Sequence, residues 1–218
     1  MDFLLYMIFS SLESAAIIML ALKSYRFYIS EYAWQITCSS IIISFVSYLF
    51  RMEFSLGEFD IFIQLILYVI LLTFLFRVHP LFSGLMALTG FSGNVVVQFI
   101  VYTILKGTGA ILASDIKGET SLMTMVIQGS SLLITYGLVW LLHKTHFGFS
   151  FVPHRRKVKF TRENKVLLVL ITLSMLLFGG SFFLYYNTHS KYLAVSSLVI
   201  IVLLISLLFA AIKKESGQ

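Results

Sequence analysis

The sequence predicts an all-α integral membrane protein, a bundle of seven transmembrane helices. Of its 218 residues, 59% are hydrophobic and only 12% are charged, whereas an ordinary soluble domain has about 25% charged residues. Apolar stretches of about 20 residues, the length that crosses a bilayer as a helix, recur along the chain. Nearly all charges fall between these stretches, because a charge at the bilayer centre costs about 2.5–3.5 kcal/mol on insertion scales. A soluble domain with a single core is therefore excluded.

Seven apolar segments fill the chain, and we treat residues 1–218 as a single transmembrane helical domain. The predicted spans are 3–22, 33–50, 59–76, 81–105, 121–142, 166–186 and 192–212. The bundle would have six spans if the third or the fourth segment entered the membrane without crossing it. The first segment lacks the positive start of a secretory signal and is too long for one, so we expect it to be retained as the first helix.

The distribution of basic residues predicts the orientation, because Lys and Arg are retained in short cytoplasmic loops. Of the 16 Lys and Arg residues, twelve fall in the first, third and fifth loops and the carboxyl-terminal tail, and four fall on the opposite side. This difference predicts a plasma-membrane protein with its amino terminus outside and its carboxyl terminus in the cytoplasm. The net charge of +6 is thus mainly an orientation signal, and we expect no binding to nucleic acid.

Glu13 is the only acidic residue that lies well inside a predicted span. A carboxyl group within the membrane marks a functional site by default. Ser10 and Ser14 share its face at helical spacing, so that face is expected to turn into the bundle. Two roles remain open. The group could be a structural hydrogen-bonding element, or it could couple to protons or contact a ligand.

The fourth span has a stripe of polar and small residues on one helical face. Its members are Ser83, Ala87, Gly90, Asn94, Gln98 and Tyr102. Small residues allow close approach of another helix, and the carboxamides need polar partners, so this span is expected to run through the middle of the bundle. The predicted set for ligand binding or coupling is Glu13, Ser10, Ser14, Gln64, Asn94, Gln98 and Gln128. Spacing alone leaves open whether this interior is a cavity or a packed core.

The fifth loop, residues 143–165, is the most charged segment, and aromatic residues such as Phe149 and Phe151 lie close to its charges. The loop is predicted to contact anionic lipid or a cytoplasmic partner through Arg155, Arg156, Lys157, Lys159 and Arg162. Anionic lipid attracts a nearby Lys or Arg by about 1 kcal/mol, and the aromatic rings could lie in the membrane interface. The simpler alternative is that these charges only fix the topology.

Signatures of catalysis and metal binding are missing from the sequence. It has no H-E-x-x-H helix, no G-x-S-x-G turn and no pair of carboxylates suited to acid–base chemistry. Cys38 is the only cysteine, and His143 and His146 have no carboxylate or cysteine at ligand spacing. We therefore expect no enzymatic activity, no cofactor and no metal site.

Three segments resemble the membrane sensor portion of Gram-positive histidine kinases related to the accessory-gene-regulator quorum receptors. They are residues 11–15, residues 48–56 leading into 64–68, and residues 81–91. The resemblance implies a bacterial receptor module of six or seven helices that perceives an extracellular peptide or a membrane perturbation. Such kinases continue into a dimerisation helix and an ATP-binding domain, whereas this sequence ends at Gln218. We therefore expect phosphorylation to lie outside this polypeptide.

Together these features favour a non-enzymatic receptor or regulatory protein that senses an extracellular or membrane signal. Its expected partners are the lipid bilayer and either a cytoplasmic signalling protein or a second copy of the chain. The alternative is a small secondary transporter, or a transporter subunit, with proton coupling through Glu13. Transporters often have internal repeats or helices broken within the membrane, but no repeat is evident and both prolines, Pro80 and Pro153, lie in loops. A self-immunity membrane protein is a further alternative.

Overall fold

The computed structural model describes residues 3–54, 56–108, 122–152, 162–188 and 193–216, and these ranges contain seven long α-helices and no strand. The helices are α1 (Phe3–Ser24), α2 (Ala33–Tyr48), α3 (Gly57–Phe74), α4 (Pro80–Gly107), α5 (Leu122–Thr145), α6 (Arg162–Thr188) and α7 (Leu193–Ser216). A short 3₁₀ helix, Ile29–Tyr32, precedes α2, and a π-helical turn, Leu49–Glu53, continues it. The prediction of an all-α fold is confirmed for the described residues, and each predicted span overlaps one of these helices.

Five helical stretches within the described ranges are long and apolar enough to cross a membrane. They are Phe3–Ser24, Ile29–Glu53, Gly57–Phe74, Pro80–Gly107 and Thr124–Thr145. These stretches support a membrane protein. Seven spans are not confirmed; in the part of α6 whose side chains are described, the apolar stretch is Asn164–Gly180. Crossing of the membrane by α6 and α7 stays a prediction.

The fourth helix lies at the centre of the bundle, where it contacts α1, α3, α5, α6 and α7. Gly90 explains how closely α1 approaches it. A Cβ atom at this position would lie 2.7 Å from the Ile17 carbonyl oxygen and 2.8 Å from the Ala21 Cβ. The helix begins at Pro80, which needs no amide hydrogen at that position, and the preceding His79 accepts a hydrogen bond from the Leu81 amide at 3.3 Å through Nδ1.

The segment that follows α5 packs onto the end of the bundle where α1 terminates. The Phe149 amide donates to the Ser24 carbonyl at 2.8 Å, and Phe151 and Val152 are both 4% exposed. The Phe151 ring contacts the rings of Tyr25 and Phe82. The Phe151 ring is therefore buried among aromatic partners inside the protein.

Candidate functional site

Glu13 on α1 is held by two carboxamides of α4. Its Oε1 accepts hydrogen bonds from Asn94 Nδ2 at 3.1 Å and from Gln98 Nε2. Asn94 Oδ1 in turn accepts from the Thr135 hydroxyl of α5 at 3.1 Å. These bonds fix the orientation of both carboxamides, because the nitrogen of each one points toward Glu13. A single polar cluster therefore connects α1, α4 and α5.

A second polar cluster surrounds the carboxylate of Asp60 in the first turn of α3. Its Oδ2 accepts from Arg51 Nε, from the Ser47 hydroxyl at 3.1 Å and from Gln64 Nε2 at 2.8 Å. The Tyr6 hydroxyl on α1 lies 2.8 Å from Ser47 Oγ. Asp60 is completely buried, whereas the side chain of Arg51 is 27% exposed. Buried charges require such pairing and hydrogen bonding.

The π-helical turn places Arg51 beside Asp60. It follows α2 directly and spans Leu49–Glu53, and the Phe54 and Leu56 amides close it by donating to the Leu49 and Phe50 carbonyls. Turns of this kind are rare and occur frequently at functional sites. The chain thus turns back into α3 within a few residues, so the arginine and the aspartate meet across the connection.

A cavity of about 310 Å³ lies between these clusters. All seven residues of the predicted polar set line it: Glu13, Ser10, Ser14, Gln64, Asn94, Gln98 and Gln128. Its apolar wall includes Phe9, Ile17 and Phe91. A concave site with apolar walls and a few fixed polar groups is typical of small-molecule binding, and this volume is near the lower end of the usual range of about 300–1,000 Å³.

The cavity occupies the half of the bundle in which α1 begins. Its lining comes from residues 5–17 of α1, from the end of α2 and the π-helical turn, and from the first part of α3. The contributions of α4 and α5 are residues 91–98 and 124–128, the parts of these antiparallel neighbours that lie at the same level. The opposite half of α4 is closely packed, with Leu85, Met86 and Leu88 fully buried.

Sequence reasoning missed Arg51 and Asp60 as members of the site. Both lie near the ends of predicted spans, where an ionisable residue is usually explained by water at the membrane surface. The available signal was the nine-residue separation of opposite charges across a short connection. It would have indicated an ion pair, although not a cavity.

Among the described residues, none of the basic residues of the fifth loop lines this cavity. Arg155, Arg156, Lys157 and Lys159 lie outside the described residues, and Arg162 is described only as the first residue of α6. Their contact with anionic lipid or a partner stays a prediction. Where side chains are described, no group of three or more His, Cys, Asp or Glu residues could hold a metal ion.

Comparisons with known proteins assign no family to this chain. No protein-family model, no curated protein and no solved structure matches this chain. The described structure is a helical bundle whose apolar helices are compatible with a membrane protein, and it has a polar cavity enclosed by α1 to α5. Its function must be argued from that cavity.

Proposed function

We propose that this chain is a non-enzymatic multi-pass membrane protein of receptor or regulatory type, which binds a small ligand in the cavity between α1 and α5. The observation that carries this proposal is the convergence of seven polar side chains from four helices on one cavity. Polar groups that served only to pack the helices would be expected to fill the space between them. Here they line a space large enough for a small molecule.

The proposed orientation determines the side of the membrane from which a ligand enters the cavity. With the amino terminus outside, as the basic residues predict, the cavity lies in the outer half of the membrane and receives its ligand from the extracellular side. The resemblance of the first half of the chain to bacterial sensor modules supports the same class of function.

The described contacts offer a route from the cavity to the other end of the bundle. Glu13 is tied to α4 by hydrogen bonds, and directly after the end of α1 the Tyr25 hydroxyl lies 3.1 Å from the Thr89 hydroxyl of α4. The adjacent Ser24 carbonyl accepts a hydrogen bond from the amide of Phe149, in the described part of the fifth loop. A ligand that shifts α1 against α4 would therefore move this segment, and the loop would pass the change to a cytoplasmic partner.

One observation favours the alternative of a secondary transporter. Glu13 is a protonatable group that lines a cavity within a predicted span, as a proton-coupled carrier would require. The two functions differ in access, because a transporter opens its central site to each side of the membrane in turn. A receptor of the proposed kind keeps the site open to the outside only.

Cysteine labelling tests this difference without knowledge of the ligand. In a Cys38→Ser background, Ser10→Cys places a thiol in the cavity and Phe147→Cys places one at the opposite end, where the native ring is 69% exposed. A small, charged, membrane-impermeant thiosulfonate is added to intact cells and to inverted vesicles, and mass spectrometry measures the modified fraction. We expect Ser10→Cys to react only in cells and Phe147→Cys only in vesicles.

The side from which Ser10→Cys reacts distinguishes the receptor from the transporter. Reaction of Ser10→Cys from both sides would select the transporter, whereas protection from both sides would show that the cavity is closed to water and would contradict ligand entry. Reaction from the vesicle side alone would reverse the proposed orientation. The Phe147→Cys variant serves as the matched control, because it reports the sidedness of each preparation independently of the cavity.

A further inference from the structure

We propose that the ligand of the cavity is an organic cation, a molecule with one ammonium group and a compact apolar or aromatic body, and that the ammonium group pairs with Glu13. This inference rests on the proposed function, because it specifies the chemical class of ligand for the same cavity. It follows from the charges, the hydrogen-bond directions and the walls of the site.

The charges around the cavity favour a cation. Among the described residues that line it, Glu13 and Arg51 are the two that carry a formal charge when ionised. Arg51 donates to Asp60, so the region holds two acids and one base. The donors that reach Glu13 are neutral carboxamides. An ammonium group would supply the missing positive charge, whereas an anionic ligand would meet Glu13 with the same sign of charge.

The hydrogen bonds of Glu13 leave room for such a partner. Both bonds from α4 end on Oε1, and in the part of the chain that the structure describes no donor is recorded on Oε2. An ionised carboxylate can accept about four hydrogen bonds through its two oxygens. An ammonium group bound at Oε2 would thus add to the existing cluster without displacing Asn94 or Gln98.

The direction of the carboxamides argues against an inorganic cation. Calcium typically takes about 6–8 oxygen ligands, and magnesium requires nearly ideal octahedral oxygen coordination. At this site Asn94 and Gln98 turn their nitrogens toward Glu13, and the Asn94 oxygen accepts from Thr135 instead. The carboxamide oxygens are therefore not gathered beside the carboxylate. An ammonium group has no such coordination requirement.

The walls of the cavity are complementary to the apolar body of the proposed ligand. Phe9, Phe91 and Tyr6 line the cavity together with aliphatic residues such as Ile17 and Val95. Aromatic faces attract cations, and the aliphatic surface accommodates an apolar body. The volume of about 310 Å³ fits one ring with a short side chain. If the amine enters neutral and Glu13 is protonated, the proton passes from the carboxyl oxygen to the amine nitrogen, and the same ion pair results.

Three probes that share one apolar body test the inference. Phenylbutylamine, phenylbutanol and phenylbutyrate differ chiefly in the charge of the terminal group. Binding to the full chain in lipid nanodiscs is measured by titration calorimetry, with empty nanodiscs subtracted to remove partition into lipid. We expect the amine to bind at least about tenfold more tightly than the alcohol, a difference of about 1.4 kcal/mol, and the carboxylate to bind most weakly.

Substitutions then test whether the preference for the amine depends on Glu13. Glu13→Gln keeps the size of the side chain and one oxygen that can accept from Asn94 and Gln98, so we expect it to remove the preference for the amine and retain binding of the alcohol. Glu31→Gln is the matched control. It removes one negative charge at an exposed position of the 3₁₀ helix Ile29–Tyr32 and should leave the preference unchanged.

Equal binding of the amine and the alcohol to the unmodified chain would overturn the inference, and so would a preference that survives Glu13→Gln. Failure of all three probes to bind would overturn it as well. None of these results bears on cysteine labelling of the cavity, so the ligand class and the proposed function fail separately. The comparison of probes on the unmodified chain also stands if Glu13→Gln does not fold.

Discussion

Asp60 holds its carboxylate where no solvent reaches it, and its basic partner Arg51 is the more exposed member of the pair. This difference in exposure determines which single substitution in the pair costs more stability. Removing one member of a buried ion pair leaves an uncompensated charge, which typically costs about 3–5 kcal/mol. The cost should be larger when the remaining charge is the one that cannot turn toward water.

We therefore predict that Arg51→Met destabilises the protein more than Asp60→Asn. Arg51→Met should lower the free energy of unfolding by about 3 kcal/mol or more, because it leaves Asp60 buried without its cation. Asp60→Asn should cost less, since the guanidinium can reorient toward the cavity. Unfolding in mixed detergent micelles measures both, and the double variant should recover part of the loss. Equal losses for the two single variants would contradict this account of the pair.

The residues around Glu13 were predictable from the sequence, whereas the position of Arg51 and Asp60 beside a cavity was not. A carboxyl group within a span has few partners in lipid, so the carboxamides of Asn94 and Gln98 were natural candidates. Spacing could not distinguish a cavity from a packed core, because that difference depends on side-chain volumes contributed by several helices. The pairing of Arg51 with Asp60 depends on the path of the π-helical turn, which hydropathy does not encode.

At the scale of elements, Gly90 sets the distance between α1 and α4. The atoms that a methyl group would meet include the Ile17 backbone oxygen at 2.7 Å, and backbone cannot move aside without shifting the helix. Gly129 on α5 offers a matched control, because a Cβ atom there would meet nothing within 4 Å. Both glycines lie within helices, so their intrinsic helix propensities are the same.

Gly90→Ala should therefore destabilise the protein by about 1–3 kcal/mol, the usual cost of overpacking, and should weaken the contact between α1 and α4. Gly129→Ala should be neutral or stabilising by up to about 1 kcal/mol, because alanine is the better helix former. Thermal unfolding of both variants in the same detergent gives the comparison. A Gly90→Ala variant as stable as Gly129→Ala would mean that the two helices are not in close contact.

Helix positions follow from the apolar pattern, but helix ends do not. The second predicted span, 33–50, corresponds to α2 (Ala33–Tyr48) together with part of the π-helical turn. Predicted span 59–76 is displaced by two residues from α3 (Gly57–Phe74). Apolar length is dictated by the bilayer, whereas the ends depend on local caps and turns, such as the His79 side chain before α4.

At the scale of the whole molecule, the number of crossings depends on α6 and α7. Five or seven crossings both place the termini on opposite sides of the membrane, so a reporter at the carboxyl terminus tests orientation alone. A reporter between α6 and α7 tests their crossing. The two positions together separate orientation from the number of spans.

We predict cytoplasmic activity for a reporter fused after Gln218 and extracellular activity for one inserted between Thr188 and Leu193. The side of the membrane expected for each reporter follows from the basic residues, which favour the cytoplasmic side for the fifth loop and the carboxyl-terminal tail. Paired phosphatase and fluorescent-protein fusions measure both positions. Extracellular activity after Gln218 would reverse the orientation, and cytoplasmic activity at the inserted position would mean that α6 and α7 form a hairpin that does not cross.

The hydrogen bonds between Glu13 and α4 have a consequence for how the protein is made. Glu13 and Asn94 are 81 residues apart, so the carboxyl group leaves the ribosome long before its partners. Each side chain is costly in lipid by itself, and together they satisfy one another. The polar group of the first helix is therefore satisfied by this contact only after the fourth helix has been made, so the order of synthesis limits the order of assembly.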